Sequence, residues 1–149
     1  MKQMKKKNNK NHNKIGIVMK FYRLERFLFT HRMKLLARFI YHQIQILFNC
    51  VIPPSVIIGE GTCIAHGVGI VIHHDAIIGK GCKIFQNVTI GQSGVVVGDN
   101  VLLGAGAVLL GPVTIGDNVK IGANAVVTKS VPPNLTVVGI PARIVKKEK

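Results

Sequence analysis

The chain has 149 residues, 48% of them hydrophobic, a length that suits one domain and a composition ample for a core. Its net charge of +14 is uneven: residues 1–48 hold twelve Lys or Arg against Glu25, 12 − 1 = +11, whereas residues 50–145 hold five against four acids, 5 − 4 = +1. Nucleic acid ranks low as a partner, because no stacking platform is interleaved with the basic residues; Cys50, Cys63 and Cys82 lack both the C-x-x-C spacing of a zinc site and the secretory context of a disulfide framework.

Residues 1–18 read as a basic tail whose first fourteen residues, rich in Lys and Asn, lack the apolar content that offsets ordering entropy. The apolar run Ile15 to Met19 is cut short by Lys20 and Arg23, unlike a secretory h-region, so the expectation is a cytoplasmic protein. Residues 19–48 predict one or two amphipathic helices. Phe21, Leu24, Leu28, Leu35, Phe39 and Ile46 share one side, Met33, Ile40 and Leu47 add a second, and Lys20, Arg23, Lys34 and Arg38 form a basic strip. Such a segment packs on the following domain or on a neighbouring subunit, and its basic face also suits transient contact with anionic lipid at the inner membrane face. His42, Gln43 and Gln45 before Pro53-Pro54 argue against a transmembrane helix.

From Ile58 to Val131 an aliphatic residue, often followed by Gly, recurs every six residues. Ile58, Ile64 and Ile70 form one phase; Ile72, Ile78, Ile84 and Ile90 a second; Val97, Leu103, Leu109, Ile115, Ile121 and Val127 a third. A 3.6-residue period would scatter every sixth side chain around a helix axis, so the repeat predicts short strands joined by tight turns, with one aliphatic side chain per rung facing inward. The expected product is an all-β solenoid over residues 49–145, a parallel β-helix stacked coil on coil. Cys63 and Cys82 fall inside rungs, where a thiol serves as a small buried apolar group.

The two phase breaks carry the candidate chemistry, because a solenoid takes insertions at its corners, where they often build the site. Two extra residues fall between Ile64 and Ile72, around His66-Gly67-Val68-Gly69, and one falls between Ile90 and Val97, at Gln92-Ser93-Gly94. His73, His74 and Asp75 follow the first break; neighbouring residues on a strand or turn diverge, so they are expected to form a polar corner and no metal site.

The run IGEGTCIAHGVGIVIHHDAIIGKGCKIFQNVTIG from Ile58, followed by LGAGAVLLGPVTIGDNVKIGANAVVTKSVPPNLTVVGIPARIV from Leu103, resembles the hexapeptide-repeat acyltransferases, and within them the serine acetyltransferase branch. What this resemblance implies is a left-handed parallel β-helix with a short N-terminal helical segment, a homotrimer with active sites between subunits, and acetyl-CoA as donor without a metal. His66 matches the family's catalytic histidine by its place in the His-Gly-x-Gly-Ile-Val-Ile segment, and imidazole, with an unperturbed pKa near 6.5, is a natural base for an acceptor hydroxyl. Carried over by match, the acceptor would lie near Ala65, Gly67 and His74, and the donor arm along Gly104, Ala105, Gly122 and Ala123, with Lys129 and Arg143 on the CoA phosphates.

The chain departs from serine acetyltransferases on the acceptor side. About 48 residues precede the repeat where that enzyme has a large helical domain; Val51 stands at the family's aspartate, fifteen residues before His66, and Ala65 replaces an acidic acceptor contact. The break at Gln92-Ser93-Gly94 is nearly minimal, where the enzyme has a loop with an Arg-His pair. A free amino acid needs charged partners at both ends, so the expected acceptor is a sugar hydroxyl of a surface polysaccharide or its precursor. The alternatives are serine O-acetylation with a rebuilt site, and a non-enzymatic β-helix that binds a partner.

Overall fold

The computed structural model describes residues 16–145. Two helices, α1 (Ile17–Thr30) and α2 (Lys34–Phe48), precede fourteen short strands. The first coil holds β1 (Ile57–Ile58), β2 (Cys63–Ile64) and β3 (Val71–Ile72), the second β4 (Ile77–Ile78), β5 (Lys83–Ile84) and β6 (Thr89–Ile90). The third holds β7 (Val95–Val97), β8 (Leu102–Leu103) and β9 (Val108–Leu109), the fourth β10 (Val113–Ile115), β11 (Lys120–Ile121) and β12 (Val126–Val127). β13 (Thr136–Val138) and β14 (Arg143–Ile144) close the far end as an antiparallel pair.

Like strands of successive coils pair in parallel and make three flat faces: β1-β4-β7-β10, β2-β5-β8-β11-β13-β14, and β3-β6-β9-β12. This is the left-handed parallel β-helix expected from the repeat and its resemblance. The register Ile57↔Ile77↔Val96↔Thr114 gives coils of 77 − 57 = 20, 96 − 77 = 19 and 114 − 96 = 18 residues. The two longer coils contain the two phase breaks, so both insertions are absorbed at corners and the ladders run on undisturbed.

Two side-chain rows point inward, where the hexad count predicts one. The aliphatic row from Ile58 to Val127 is buried, and so is the row two residues earlier, which includes Val56, Ile70, Ala76, Cys82, Val88, Val101, Ala107 and Val119. Residues two apart on a strand share a face, which carries the second row into the corners. Each large member contributes about 1.5–3 kcal/mol on burial, so the stacked interior supplies most of the stability. Thr62 is the polar member of the second row; its hydroxyl donates to Gly79 O at 2.8 Å and accepts from Cys82 N at 3.0 Å. Cys82 is buried as expected, but Cys63 is the outward residue of β2 and only half-buried.

The helices cap the first coil by a different face from the one expected. Val18, Met19, Tyr22, Ala37 and Ile44 are buried, whereas Leu35 and Ile46 remain 86% and 75% exposed and Leu24 and Phe39 also face outward. α1 is drawn in by polar bonds to the coil. Tyr22 Oη donates to Val56 O at 2.6 Å, Arg23 to Gly59 O at 3.0 Å, and Arg26 to Pro54 O at 2.8 Å and Val56 O at 2.9 Å. These bonds, which the apolar pattern could not show, pull Arg23 out of the basic strip and leave Lys20, Lys34 and Arg38 exposed. The helical segment begins at Ile17, two residues before its expected start, and the disordered tail expected over 1–14 lies outside the described residues.

Candidate active site

His66 stands on the corner between β2 and β3, where the two extra residues make the chain bulge. Its backbone is left-handed, with φ 55°. At the regular corners of this edge the left-handed place is taken by Asn87, Gly106 and Asn124, residue types that tolerate it readily. His66 adopts it in addition to Gly69, in the same bulge, and a non-glycine residue held there costs of order 1–3 kcal/mol. The conformation projects an exposed imidazole from the edge, and among the described residues its ring makes no hydrogen bond.

The bulge is propped from one side by α1. A Cβ on Gly67 would come within 2.3 Å of Val18 Cγ2, and one on Gly16 within 2.5 Å of Ile64 O. Gly67 therefore answers to close packing next to His66. Val51 pairs with Val71 of β3 as an isolated bridge, with Val51 N donating to Ile70 O at 2.7 Å and Ile72 N to Val51 O at 2.8 Å. The position of the family's aspartate is thus built as an extra half-rung below β3, with an aliphatic side chain in place of a carboxylate.

The small residues expected to line the donor arm share this edge. Gly104-Ala105 turns from β8 to β9 and Gly122-Ala123 from β11 to β12, directly up the stack from His66. A Cβ on Gly104 would meet Ala123 N at 2.6 Å, so coil-to-coil contact alone demands that glycine. Lys129 and Arg143, 14 residues apart in sequence, both line one cavity of about 440 Å³ at the far end, with Thr128, Ser130 and Pro132. The structure brings these two cations to one cavity at the far end, Lys129 on the corner after β12, while the remaining donor candidates follow the edge that carries His66, one edge round.

His74 is placed differently. It lies on the corner between β3 and β4, the next edge round, with its ring tilted against His73 at 4.2 Å between centroids. On that corner His73 and Asp75 converge where divergence was expected, because the backbone turns between them. His73 Nδ1 donates to Asp75 Oδ1 at 2.5 Å, and the Ser93 hydroxyl donates to Asp75 Oδ2. The Ser93 bond, and then the His73 bond, hold the Asp75 carboxyl down at about 2. Neither contact was legible beforehand, since Asp75 and Ser93 meet only when the second coil stacks on the first; the extra residue at 92–94 was the available signal. Among the described residues no three His, Cys, Asp or Glu side chains gather as a metal site.

The family described as bacterial transferase hexapeptide (six repeats) matches residues 94–129, and the hexapeptide repeat of succinyl-transferase matches residues 69–110. A serine acetyltransferase of Synechococcus elongatus is 40% identical over 131 residues, 83% of this chain and 54% of its own length. That of Mycobacterium tuberculosis is 42% identical over 131 residues, 83% of this chain and 57% of its own. The chain carries the hexapeptide repeat of bacterial transferases over residues 69–129 and is similar to serine acetyltransferases over most of its own length. Among solved structures, a serine acetyltransferase in complex with CoA superposes with a TM-score of 0.81 at 38% identity, covering 86% of this chain and 55% of that one. The soybean serine acetyltransferase apoenzyme gives 0.81 at 36%, covering 86% and 56%. The chain spans about half the length of the curated relatives it matches.

Proposed function

We propose that the chain is an O-acetyltransferase that carries an acetyl group from acetyl-CoA to the hydroxyl of L-serine, with His66 as general base. The observation that carries this reading is His66 itself, held in a left-handed bulge at the foot of the edge that Gly104, Ala105, Gly122 and Ala123 climb, with Lys129 and Arg143 lining one cavity at the far end of the stack. The relatives named serine acetyltransferase support serine over the sugar expected from the departures at Val51 and Ala65. The sugar remains the second reading, favoured by the short break at Gln92-Ser93-Gly94.

The chemistry asks little of the protein, because a thioester is already activated. An unprotonated His66 ring nitrogen takes the proton of the acceptor hydroxyl as its oxygen bonds to the acetyl carbonyl carbon. The C–S bond then breaks, and the CoA thiolate recovers the proton from the imidazolium. General-base catalysis of this kind contributes about 10²–10⁴-fold. Lys129 and Arg143 would hold CoA phosphates by charge-assisted bonds, Arg by a bidentate fork. Ala65 and Gly67 would border the acceptor without charge, and Gly104, Ala105, Gly122 and Ala123 would border the pantetheine arm.

The assembly belonging to this reading is a homotrimer with sites between subunits. Its helical surface, which exposes Leu24, Leu35, Phe39 and Ile46 beside Lys20, Lys34 and Arg38, would rest transiently on anionic lipid.

Acetyl-CoA turnover with L-serine and with a sugar panel decides the acceptor. Release of CoA with serine, reduced at least about a hundredfold by His66→Ala in a folded protein, is the expected result. Sugar-dependent turnover with none on serine would replace the acceptor, and an unaffected His66→Ala would remove the base.

A further inference from the structure

We infer that His73 is a second acceptor-binding residue, contributed to a site whose His66 belongs to another copy of the chain. The inference rests on the acetyltransferase reading above and assigns the other half of its acceptor pocket. Three observations lead to it.

The first is chemical. An ionised carboxylate only accepts, so the 2.5 Å contact places the hydrogen on His73 Nδ1 and turns Nε2 to the outside. Asp75 cannot swing away, because its second oxygen is held by Ser93 from the next coil. A ring fixed in tautomer and orientation by a carboxylate, itself anchored by a hydroxyl, is the arrangement that presents one imidazole nitrogen to a ligand. His73–Asp75 is also the one imidazole–carboxylate pair among the described residues.

The second is what the His66 bulge lacks. Val51 gives it no carboxylate, and Ala65, Gly67, Val68 and Gly69 give it no polar side chain, so on that corner only His66 offers a polar side chain to an acceptor. A carboxylate-held imidazole stands on the other corner of the same coil.

The third is topological. His66 lies before β3, between the second and third faces, and His73 lies after it, between the third and first. Both end one rung, pointing out from different edges of the prism, so one acceptor molecule can meet both only where the edge of one copy faces the other edge of a neighbour. A heterologous ring makes such a contact at every interface. The outward residues of β3 and of the ladder beginning at β1, Val71, Ile57, Ile77 and Val96, are 38–47% exposed, apolar walls on either side of the His73 edge.

In this arrangement His66 moves the proton, and His73 Nε2 hydrogen-bonds the acceptor beside the reacting hydroxyl. Asp75 and Ser93 are positioning residues. His73→Ala should then raise the acceptor KM about tenfold while leaving the acetyl-CoA KM and most of kcat intact. Ser93→Ala should reproduce part of that rise and Ser93→Thr should rescue it, a result that a merely structural corner would not give.

The deciding experiment co-expresses His66→Ala and His73→Ala chains under two tags and assays the doubly purified mixed oligomer at acceptor far below KM. In a doubly purified trimer, which always holds both variants, an intact His66 stands opposite an intact His73 at one interface in three, so about a third of wild-type activity should return, well above either variant alone. Activity no greater than the sum of the separate variants, or an acceptor KM unmoved by His73→Ala, overturns the inference while wild-type turnover keeps the acetyltransferase reading standing. A wild-type oligomer that turns over neither serine nor any sugar overturns both.

Discussion

A Cβ on Gly67 would come within 2.3 Å of Val18 Cγ2. The residue after the candidate base is thus in contact with the first turn of α1, and the helical cap and the chemistry share one joint. Gly67→Ala should cost about 1–3 kcal/mol by overpacking. It should also depress turnover more than that loss explains, because the displaced bulge carries His66. The paired change Gly67→Ala with Val18→Ala should recover a large part of both. Denaturant melts and steady-state rates on the three proteins check this, and independence of the two changes would disprove the joint.

Glu25 is fully buried on α1, neither carboxylate oxygen is bonded among the described residues, and burial pushes its carboxyl up to about 8. The groups around it offer no relief. Tyr22 and Tyr41 are themselves pushed up, first by burial and in part by Glu25, and Arg23 and Arg26 are committed to backbone carbonyls. A folded-state pKa above the unfolded one means that the folded chain keeps a proton the unfolded chain releases. Stability is therefore full below about 4.5 and declines as pH rises towards 8. Thermal melts at pH 5 and pH 8 should differ for the wild type by several degrees, and Glu25→Gln should flatten that difference. An equal slope in both proteins would show that Glu25 is not the group responsible.

Lys129 and Arg143 meet only in the folded chain, across the cavity at the far end. If that cavity holds CoA phosphates, Lys129→Ala and Arg143→Ala should each raise the acetyl-CoA KM about five- to thirtyfold, the loss of one charge-assisted bond, with kcat little changed. The effect should shrink at high salt. Unchanged KM values would move the phosphates elsewhere.

Vesicle flotation tests the helical surface. Binding to vesicles containing anionic phosphatidylglycerol, absent from neutral phosphatidylcholine and weakened by salt, is expected, and Leu35→Ser with Phe39→Ser should abolish it without unfolding, since both side chains already face outward. Salt-independent binding, or none, would show that another occupant covers this surface.

Much of the solenoid follows from the order of residues alone, because a repeat with one supersecondary unit per period carries its own packing instruction. The inward row from Ile58 to Val127 and the placing of both insertions at corners were readable by counting. The position of His66 on the first of those corners was readable in the same way. What counting could not supply was anything that depends on which residues meet across coils. Ser93 reaches Asp75 across 18 positions, Arg26 reaches Val56 across 30, and Arg143 joins Lys129 at one cavity. Polar contacts of this kind leave no periodic trace, because each is set by the stacking of separate coils. Tertiary structure alone decided which helical face is buried, which histidine has a carboxylate behind it, and that the two histidines of one rung look out from different edges.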